Sequence, residues 1–131
     1  MPAGRHPFFL DRHAVPWHSR LDEARAAAAA SRRHIFVLHS RPGCEGSRAL
    51  VEKIIVKDEI AEVLREHFEC VASDVRAPDD EVTRLIGALP KQEPTPLCIY
   101  LASDGRLLHS TAGGRPAAVL LRDLTEALAR K

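Results

Sequence analysis

HSRPGCEGSRALVEK (residues 39–53) places one cysteine, Cys44, between a Pro-Gly turn and a segment with helical spacing. The stretch just before it, residues 34–38, consists mainly of branched and aromatic apolar residues, and no turn residue follows until Pro42 and Gly43. This pattern is typical of a buried central strand. After Cys44, apolar residues recur at helical intervals from Leu50 onward. The sequence therefore predicts a strand, a tight turn carrying the cysteine, and a helix.

Length and charge restrict the class of protein. The chain has 131 residues, which is enough for one domain with a hydrophobic core and too few for two of ordinary size. Its 19 basic and 18 acidic side chains leave a net charge of +1, so we expect no nucleic-acid partner and no anionic lipid partner.

Apolar runs such as residues 26–30 are far shorter than the roughly 20 residues that cross a bilayer. Asp11, Arg12 and His13 interrupt any secretory signal, so we expect a cytoplasmic protein without a membrane partner.

The three cysteines lie too far apart in sequence for a disulfide framework or a Cys-x-x-Cys zinc site, which suits a reducing compartment. Cys70 and Cys98 fall in predicted strands, where we expect them to be buried and inert. A disulfide between Cys98 and Cys44 is a disfavoured alternative.

The seven histidines show no metal-ligand spacing, so no metal site is predicted. We expect His39 to be a packed histidine rather than a base for Cys44.

Hydrophobic periodicity and turn residues predict the element order α, β, α, β, α, β, β, α, which indicates a mixed sheet with helices on both faces. The predicted elements are a helix over about 20–32 with Ser19 as its N-cap, a strand over 34–40, a helix bent or broken near Lys57 with Asp58 capping its second part, a strand over 69–75, an amphipathic helix over 79–89, a hairpin of residues 97–101 and 106–110, and a helix from Pro116 to about Ala129.

Three local signals, together with this order, resemble the thioredoxin-like fold family. They are PGCEGSR (residues 42–48) before the long helix, EPTPLCIYL (residues 93–101) with Thr95-Pro96 opening a strand, and DGRLLHSTAGG (residues 104–114) before the last helix. The resemblance implies a three-layer α/β/α domain over residues 17–131, with a mixed central sheet and an additional N-terminal helix led by Trp17. Residues 1–16 form an N-terminal extension. The resemblance also implies a cis peptide bond at Pro96.

The sequence departs from the family where the chemistry occurs. The usual Cys-x-x-Cys pair is here Cys44-Glu45-Gly46-Ser47, so a hydroxyl replaces the second, resolving thiol. Thioredoxins have tryptophan at the position of Gly43 and a buried aspartate at the position of Leu38. Ordinary dithiol reductase turnover is therefore not expected.

Cys44 is the predicted reactive thiol. A helix N-terminus favours the thiolate through the helix dipole and its free N–H groups. Arg41 and Arg48 are expected to add positive potential, while Glu45 opposes it. Ser47, one helical turn on, is expected to donate its hydroxyl to the thiolate or to a mixed disulfide.

The remaining predicted site residues bind substrate. The resemblance implies that Pro96 lies against the sulfur and that the backbone of Thr95 contacts an extended partner chain. Gly43, which lies next to the cysteine, is also predicted to contact the substrate.

These observations favour a thiol-disulfide protein that uses Cys44 alone, by monothiol exchange or by a mixed disulfide with a protein or peptide partner. No bound cofactor is expected, and glutathione is the expected thiol co-substrate. The alternative is a redox-inert thioredoxin-fold module that binds a peptide or protein in the cis-proline groove. A third hypothesis, an iron-sulfur cluster held with glutathione as in monothiol glutaredoxins, matches Arg41 and Gly113-Gly114 but is disfavoured by the longer hairpin before the glycines.

Overall fold

The computed structural model describes residues 6, 7, 9, 15–90 and 95–130. Most of the predicted extension, residues 1–16, therefore lies outside the described residues. The elements are β1 (Trp17–His18), α1 (Leu21–Ser31), β2 (His34–Ser40), α2 (Glu45–Ala49), a π-helical turn (Leu50–Ile54), α3 (Asp58–His67), β3 (Phe68–Asp74), α4 (Asp80–Gly87), β4 (Leu97–Leu101), β5 (Leu107–Ala112) and α5 (Ala117–Ala129). In the described part of the chain, none of the helices combines the length and the apolarity needed to span a bilayer.

The five strands form one mixed sheet in the order β1-β3-β2-β4-β5. β3 is parallel to β1 and β2, whereas β4 is antiparallel to both β2 and β5. The register aligns Trp17, Cys70, Phe36, Tyr100 and His109 in one row across the sheet. β1 was not predicted, because a two-residue strand carries no periodicity of its own and exists only through its pairing with β3.

Side-chain alternation along the central strands creates two hydrophobic cores. Phe36 and Leu38 of β2 point to the face covered by α3 and α5, and both are fully buried. Ile35 and Val37 point to the opposite face, where Leu21 of α1 and other apolar residues cover them. The sheet is thus enclosed between two helical layers, and the predicted three-layer α/β/α architecture is confirmed.

The observed helix ends agree well with the predicted ones, whereas the observed capping residues differ from the predicted ones. The predicted break near Lys57 is confirmed, since the π-helical turn ends at Ile54 and α3 begins at Asp58. Lys57, not Asp58, occupies the N-cap position of α3, and its side chain makes no cap hydrogen bond there. Pro116 occupies the N-cap position of α5 rather than its first helical position.

Ser19 is not the N-cap of α1. That position belongs to Arg20, whose side chain makes no cap hydrogen bond. The amide of Leu21 instead donates to Asp79 Oδ2 at 2.9 Å, while Asp79 Oδ1 accepts from the amide of Val82 at 2.8 Å. One carboxylate therefore caps both α1 and α4.

The predicted apolar face of α4 is confirmed. Val82 and Leu89 are buried in the second core, and Leu85 and Ile86 pack against it. The hairpin is also present, although β5 extends two residues beyond the predicted end, to Ala112, and the ladder is irregular at Tyr100/Leu101.

Candidate thiol site

Cys44 occupies the N-cap position of α2, directly after the turn that ends β2. The Cys44 amide donates to the Arg41 carbonyl at 3.1 Å, and the Cys44 carbonyl accepts from the Arg48 amide at 2.9 Å. The sulfur accepts a hydrogen bond from the Ser47 amide at 3.4 Å. The thiol is thus held over the free N–H groups of the first helical turn, as the sequence predicts, and it is partly exposed.

Thr95 provides the second set of contacts to the sulfur. Thr95 Oγ1 lies 3.2 Å from Cys44 Sγ, and the Thr95 carbonyl oxygen lies 3.6 Å from it. The thiol can donate to the carbonyl, and after ionisation the threonine hydroxyl can donate to the thiolate. The sequence analysis predicted only that the backbone of Thr95 contacts a partner chain. It missed the direct contact of the Thr95 side chain with the sulfur.

Pro96 and Gly46 bring the two segments of the site together. The Thr95-Pro96 peptide bond is cis. A Cβ atom on Gly46 would lie 3.4 Å from Pro96 Cδ and 4.0 Å from Cys44 Sγ. The glycine between Cys44 and Ser47 therefore allows the helix start to approach the proline closely.

Hydrogen bonding lowers the pKa of Cys44. Partial burial of the sulfur opposes ionisation, but hydrogen bonds from the Thr95 hydroxyl and the Ser47 and Gly46 amides, with the Ser47 hydroxyl close by, outweigh it and lower the pKa. Within the described part of the chain, the buried Ser47 hydroxyl has no hydrogen-bond partner of ordinary geometry. It is therefore available to turn toward a charged sulfur.

The charged neighbours are arranged around the thiol at the surface. Arg41, Glu45 and Arg48 are all exposed. The lowered pKa of Cys44 follows from hydrogen bonds. The predicted effect of the two arginines is not needed to account for it.

Gly43 and the Gly113-Gly114 turn complete the surroundings of Cys44. Among the described residues, no atom lies within 4 Å of the position that a Gly43 Cβ would occupy, which leaves open space beside the thiol. The Gly113 amide donates to the Pro96 carbonyl at 2.9 Å, with φ of Gly113 at +93°. A Cβ on Gly114 would lie 4.0 Å from Gly46 Cα. The start of α2, the Thr95-Pro96 segment and the Gly113-Gly114 turn therefore meet next to Cys44.

The other thiols are enclosed in the first core. All three cysteines lie among the described residues, and none forms a disulfide. Cys70 and Cys98 are 1% and 0% exposed. Burial raises the pKa of Cys98 to about 12. The predicted inert character of both thiols agrees with this placement.

His39 is a packed histidine, as predicted. It is buried, and its Nδ1 lies 2.8 Å from Ser73 Oγ. Alternation along β2 places it on the face opposite Leu38, which is fully buried at the position where thioredoxins have an acid. Burial lowers the pKa of His39. In the described part of the molecule, no group of three or more His, Cys, Asp or Glu side chains is arranged to hold a metal ion.

Sequence reasoning did not single out one buried acidic residue of α5. Asp123 is 4% exposed although it belongs to the charged class that is rarely buried. A signal was present, because Asp123 falls between Leu120 and Leu124 on the apolar face of α5.

Comparison with known proteins identifies the family. A family model described as thioredoxin-like matches residues 16–103, and the chain therefore belongs to the thioredoxin-like family. A search of curated protein sequences found no significant match.

Solved structures show the same fold. A thioredoxin from Thermus thermophilus superposes with a TM-score of 0.72 at 17% identity, covering 96% of this chain and 90% of that one. A disulphide isomerase from Xylella fastidiosa Temecula1 gives a TM-score of 0.67 at 21% identity, covering 82% and 88%. A structure titled DsbH Oxidoreductase gives 0.65 at 17% identity, covering 88% and 85%. At these identities the likeness is one of fold.

Proposed function

We propose that this protein exchanges thiols and disulfides through Cys44 alone. The observation that carries the proposal is the set of donors around a partly exposed sulfur, namely the Ser47 amide at 3.4 Å and the Thr95 hydroxyl at 3.2 Å. Donors of this kind stabilise a thiolate, which is the form of cysteine that attacks disulfides. The names of the structural neighbours, a thioredoxin and a disulphide isomerase, support the same class of chemistry.

The proposed reaction has two steps. The Cys44 thiolate attacks one sulfur of a partner disulfide, a new S–S bond forms, and the second partner sulfur leaves as a thiolate that takes up a proton. The thiolate of an external thiol, with glutathione as the proposed co-substrate, then attacks the mixed disulfide. A new S–S bond forms between that thiol and the partner sulfur, the S–S bond to Cys44 breaks, and Cys44 is released as the thiolate.

Exchange stops at the mixed disulfide because this chain has no resolving thiol at the second motif position. Ser47 occupies that position, is completely buried, and cannot form a disulfide. Cys98 lies in the core, and burial raises its pKa to about 12, so it is a poor attacking thiol. Release therefore depends on a second molecule.

The proposed partner is a protein or peptide whose extended chain lies along Thr95 and Pro96. The open space next to Gly43 would accept the partner residues that flank its cysteine. A cytoplasmic location, where glutathione is abundant and disulfides are transient, is part of the proposal.

The test is reaction of the native protein with glutathione disulfide, followed by mass spectrometry of intact protein and peptides. We expect one mixed disulfide at Cys44, reversed by added thiol, and none in Cys44→Ser. Ser47→Ala is the matched variant that keeps the reactive thiol. Reaction of native Cys44 no faster than that of the denatured chain would contradict the proposal and favour the redox-inert binding module.

A further inference from the structure

A group of buried polar side chains lies between β4, β5 and α5, and we call it the Asp123 cluster. Its members are the buried Tyr100, Thr111 and Asp123 and the partly exposed Arg115, with Cys98 beside Thr111 on the neighbouring strand and His109 at its edge. Tyr100, Asp123 and Thr111 are 0%, 4% and 6% exposed. The His109 ring stacks on Tyr100 with a centroid distance of 5.5 Å.

Four buried polar atoms of the cluster lack a hydrogen bond, although Arg115 and Asp123 form an ion pair with each other. Tyr100 Oη, Thr111 Oγ1, Arg115 Nε and Asp123 Oδ2 are buried and make no hydrogen bond to any described residue. Buried polar atoms are almost always hydrogen-bonded, either to protein or to ordered water. Four such atoms in one cluster therefore indicate a polar occupant rather than four separate defects.

The distances and chemistry of the cluster suit water. Arg115 Nε lies 3.7 Å from Asp123 Oδ2, and His109 Nε2 lies 3.7 Å from Asp123 Oδ1. Both contacts are direct ion pairs longer than a hydrogen bond of good geometry, so each group keeps hydrogen-bonding capacity that a water beside the pair can satisfy. The arginine supplies a donor, the carboxylate an acceptor, and the two hydroxyls either, so water can satisfy all four atoms.

The cluster is joined to the thiol site by a short path. Arg115 directly follows the Gly113-Gly114 turn, in which the Gly113 amide donates to the Pro96 carbonyl at 2.9 Å. Thr95, the residue before Pro96, places its hydroxyl 3.2 Å from Cys44 Sγ. A displacement of Arg115 would therefore reach the sulfur through two direct hydrogen bonds.

We propose that the Asp123 cluster binds ordered water, and that Asp123 acts through this water and Arg115 as a positioning residue for the Cys44 site. Asp123 itself does not contact the reacting atoms. It holds the Gly113-Gly114 turn against Pro96 and thereby fixes the Thr95 hydroxyl at the sulfur. This positioning role of Asp123 rests on the proposed function in one respect, namely that Cys44 is the reactive thiol.

The test separates positioning from simple support of the fold. Asp123→Leu replaces the carboxylate with an apolar side chain of similar shape. Because Arg115 then keeps its charge without a carboxylate partner, we expect some loss of stability as well. We expect the alkylation rate of native Cys44 at pH 7 to fall about threefold or more, as for a weakened hydrogen bond to the thiolate, when it is measured under conditions in which each variant is fully folded. Asp123→Asn retains the polar contacts and should restore most of the rate.

Leu124→Val is the matched control, since it changes the neighbouring buried residue of α5 outside the cluster. It should lower stability slightly and leave the alkylation rate unchanged. An unchanged rate in Asp123→Leu, or a rate that follows stability across all three variants, would overturn the positioning role. A crystal structure of the protein should show water bonded to Asp123 Oδ2 and Arg115 Nε, and a dry cluster would overturn the water site. If the protein does not exchange disulfides but Asp123→Leu still changes the alkylation rate of Cys44, only the proposed function is refuted and the positioning role stands.

Discussion

The chemistry of Cys44 depends on individual hydrogen bonds more than on nearby charge. The Ser47 amide is three residues away in the chain, and the Thr95 hydroxyl is 51 residues away. Desolvation of the sulfur opposes ionisation, and these donors reverse that effect and lower its pKa. Because hydrogen bonds to a charged group are stronger than those to a neutral one, each donor contributes mainly once the thiolate has formed.

Thr95→Val removes one of these donors and keeps the side-chain shape. We expect a higher pKa of Cys44 and a decrease of roughly tenfold in its alkylation rate at pH 7, as for a lost hydrogen bond to a charged group. The measurement is alkylation as a function of pH, resolved by mass spectrometry. Thr95→Ser retains the hydroxyl and should behave like the parent, and equal rates in all three proteins would show that the Thr95 hydroxyl does not stabilise the thiolate.

The lowered pKa of Cys44 also predicts a pH dependence of stability. The unfolded thiol has a pKa of about 8.5, so between the folded and unfolded pKa values the unfolded state binds more protons and stability rises with pH. This contribution is complete above the unfolded pKa and is lost as pH falls through the folded pKa. We expect the difference in free energy of unfolding between the parent and Cys44→Ala, measured by urea denaturation, to grow from pH 6 to pH 9. A constant difference would contradict a stabilised thiolate.

At the level of elements, Asp79 links two helices that are far apart in sequence. Its two carboxylate oxygens accept from the first amide of α1 and from an amide in the first turn of α4. Both amides belong to the set that a helix cannot satisfy internally. The N-terminus of α1, which lacks a local cap, therefore depends on the start of α4.

Asp79→Ala should lower the free energy of unfolding by about 2 kcal/mol, since it removes two capping bonds that are each worth about 1 kcal/mol. Chemical denaturation measures the loss. Asp79→Asn keeps one acceptor oxygen and should lose about half as much. The Cys44 alkylation rate should stay unchanged in both variants, and a loss in Asp79→Ala no larger than in Asp79→Asn would argue against the double cap.

At the level of the whole molecule, the fold separates a partly exposed thiol beyond the end of the central strand from a protected interior. Cys44 lies at the end of β2, where strand, helix start and proline turn meet, whereas Cys70 and Cys98 lie within strands covered by α3 and α5. A buried thiol becomes available to reagents only when the surrounding structure opens. The accessibility of each thiol is thus decided by its position in the fold rather than by residue type.

The native protein should therefore expose a single thiol to a small alkylating reagent, and the denatured protein should expose all three. Counting modified cysteines by mass spectrometry in buffer and in denaturant provides the measurement. The rate at which Cys70 and Cys98 are alkylated should be set by global unfolding and should therefore decrease in any stabilised variant. Fast native labelling at Cys98 would contradict its enclosure in the core.

The sequence by itself determined the features that depend on neighbours along the chain. The order of the elements after β1, the break near Lys57, the apolar face of α4 and the position of Cys44 at a helix start all follow from periodicity and turn residues within a few positions. Tertiary structure decided which distant groups meet. The shared cap of Asp79, the pairing of Trp17 in β1, the Thr95 hydroxyl at the sulfur and the burial of Asp123 each join residues from separate segments. Such contacts form only once helices have packed on both faces of the sheet, because that packing, and no local pattern, sets the distances between these side chains.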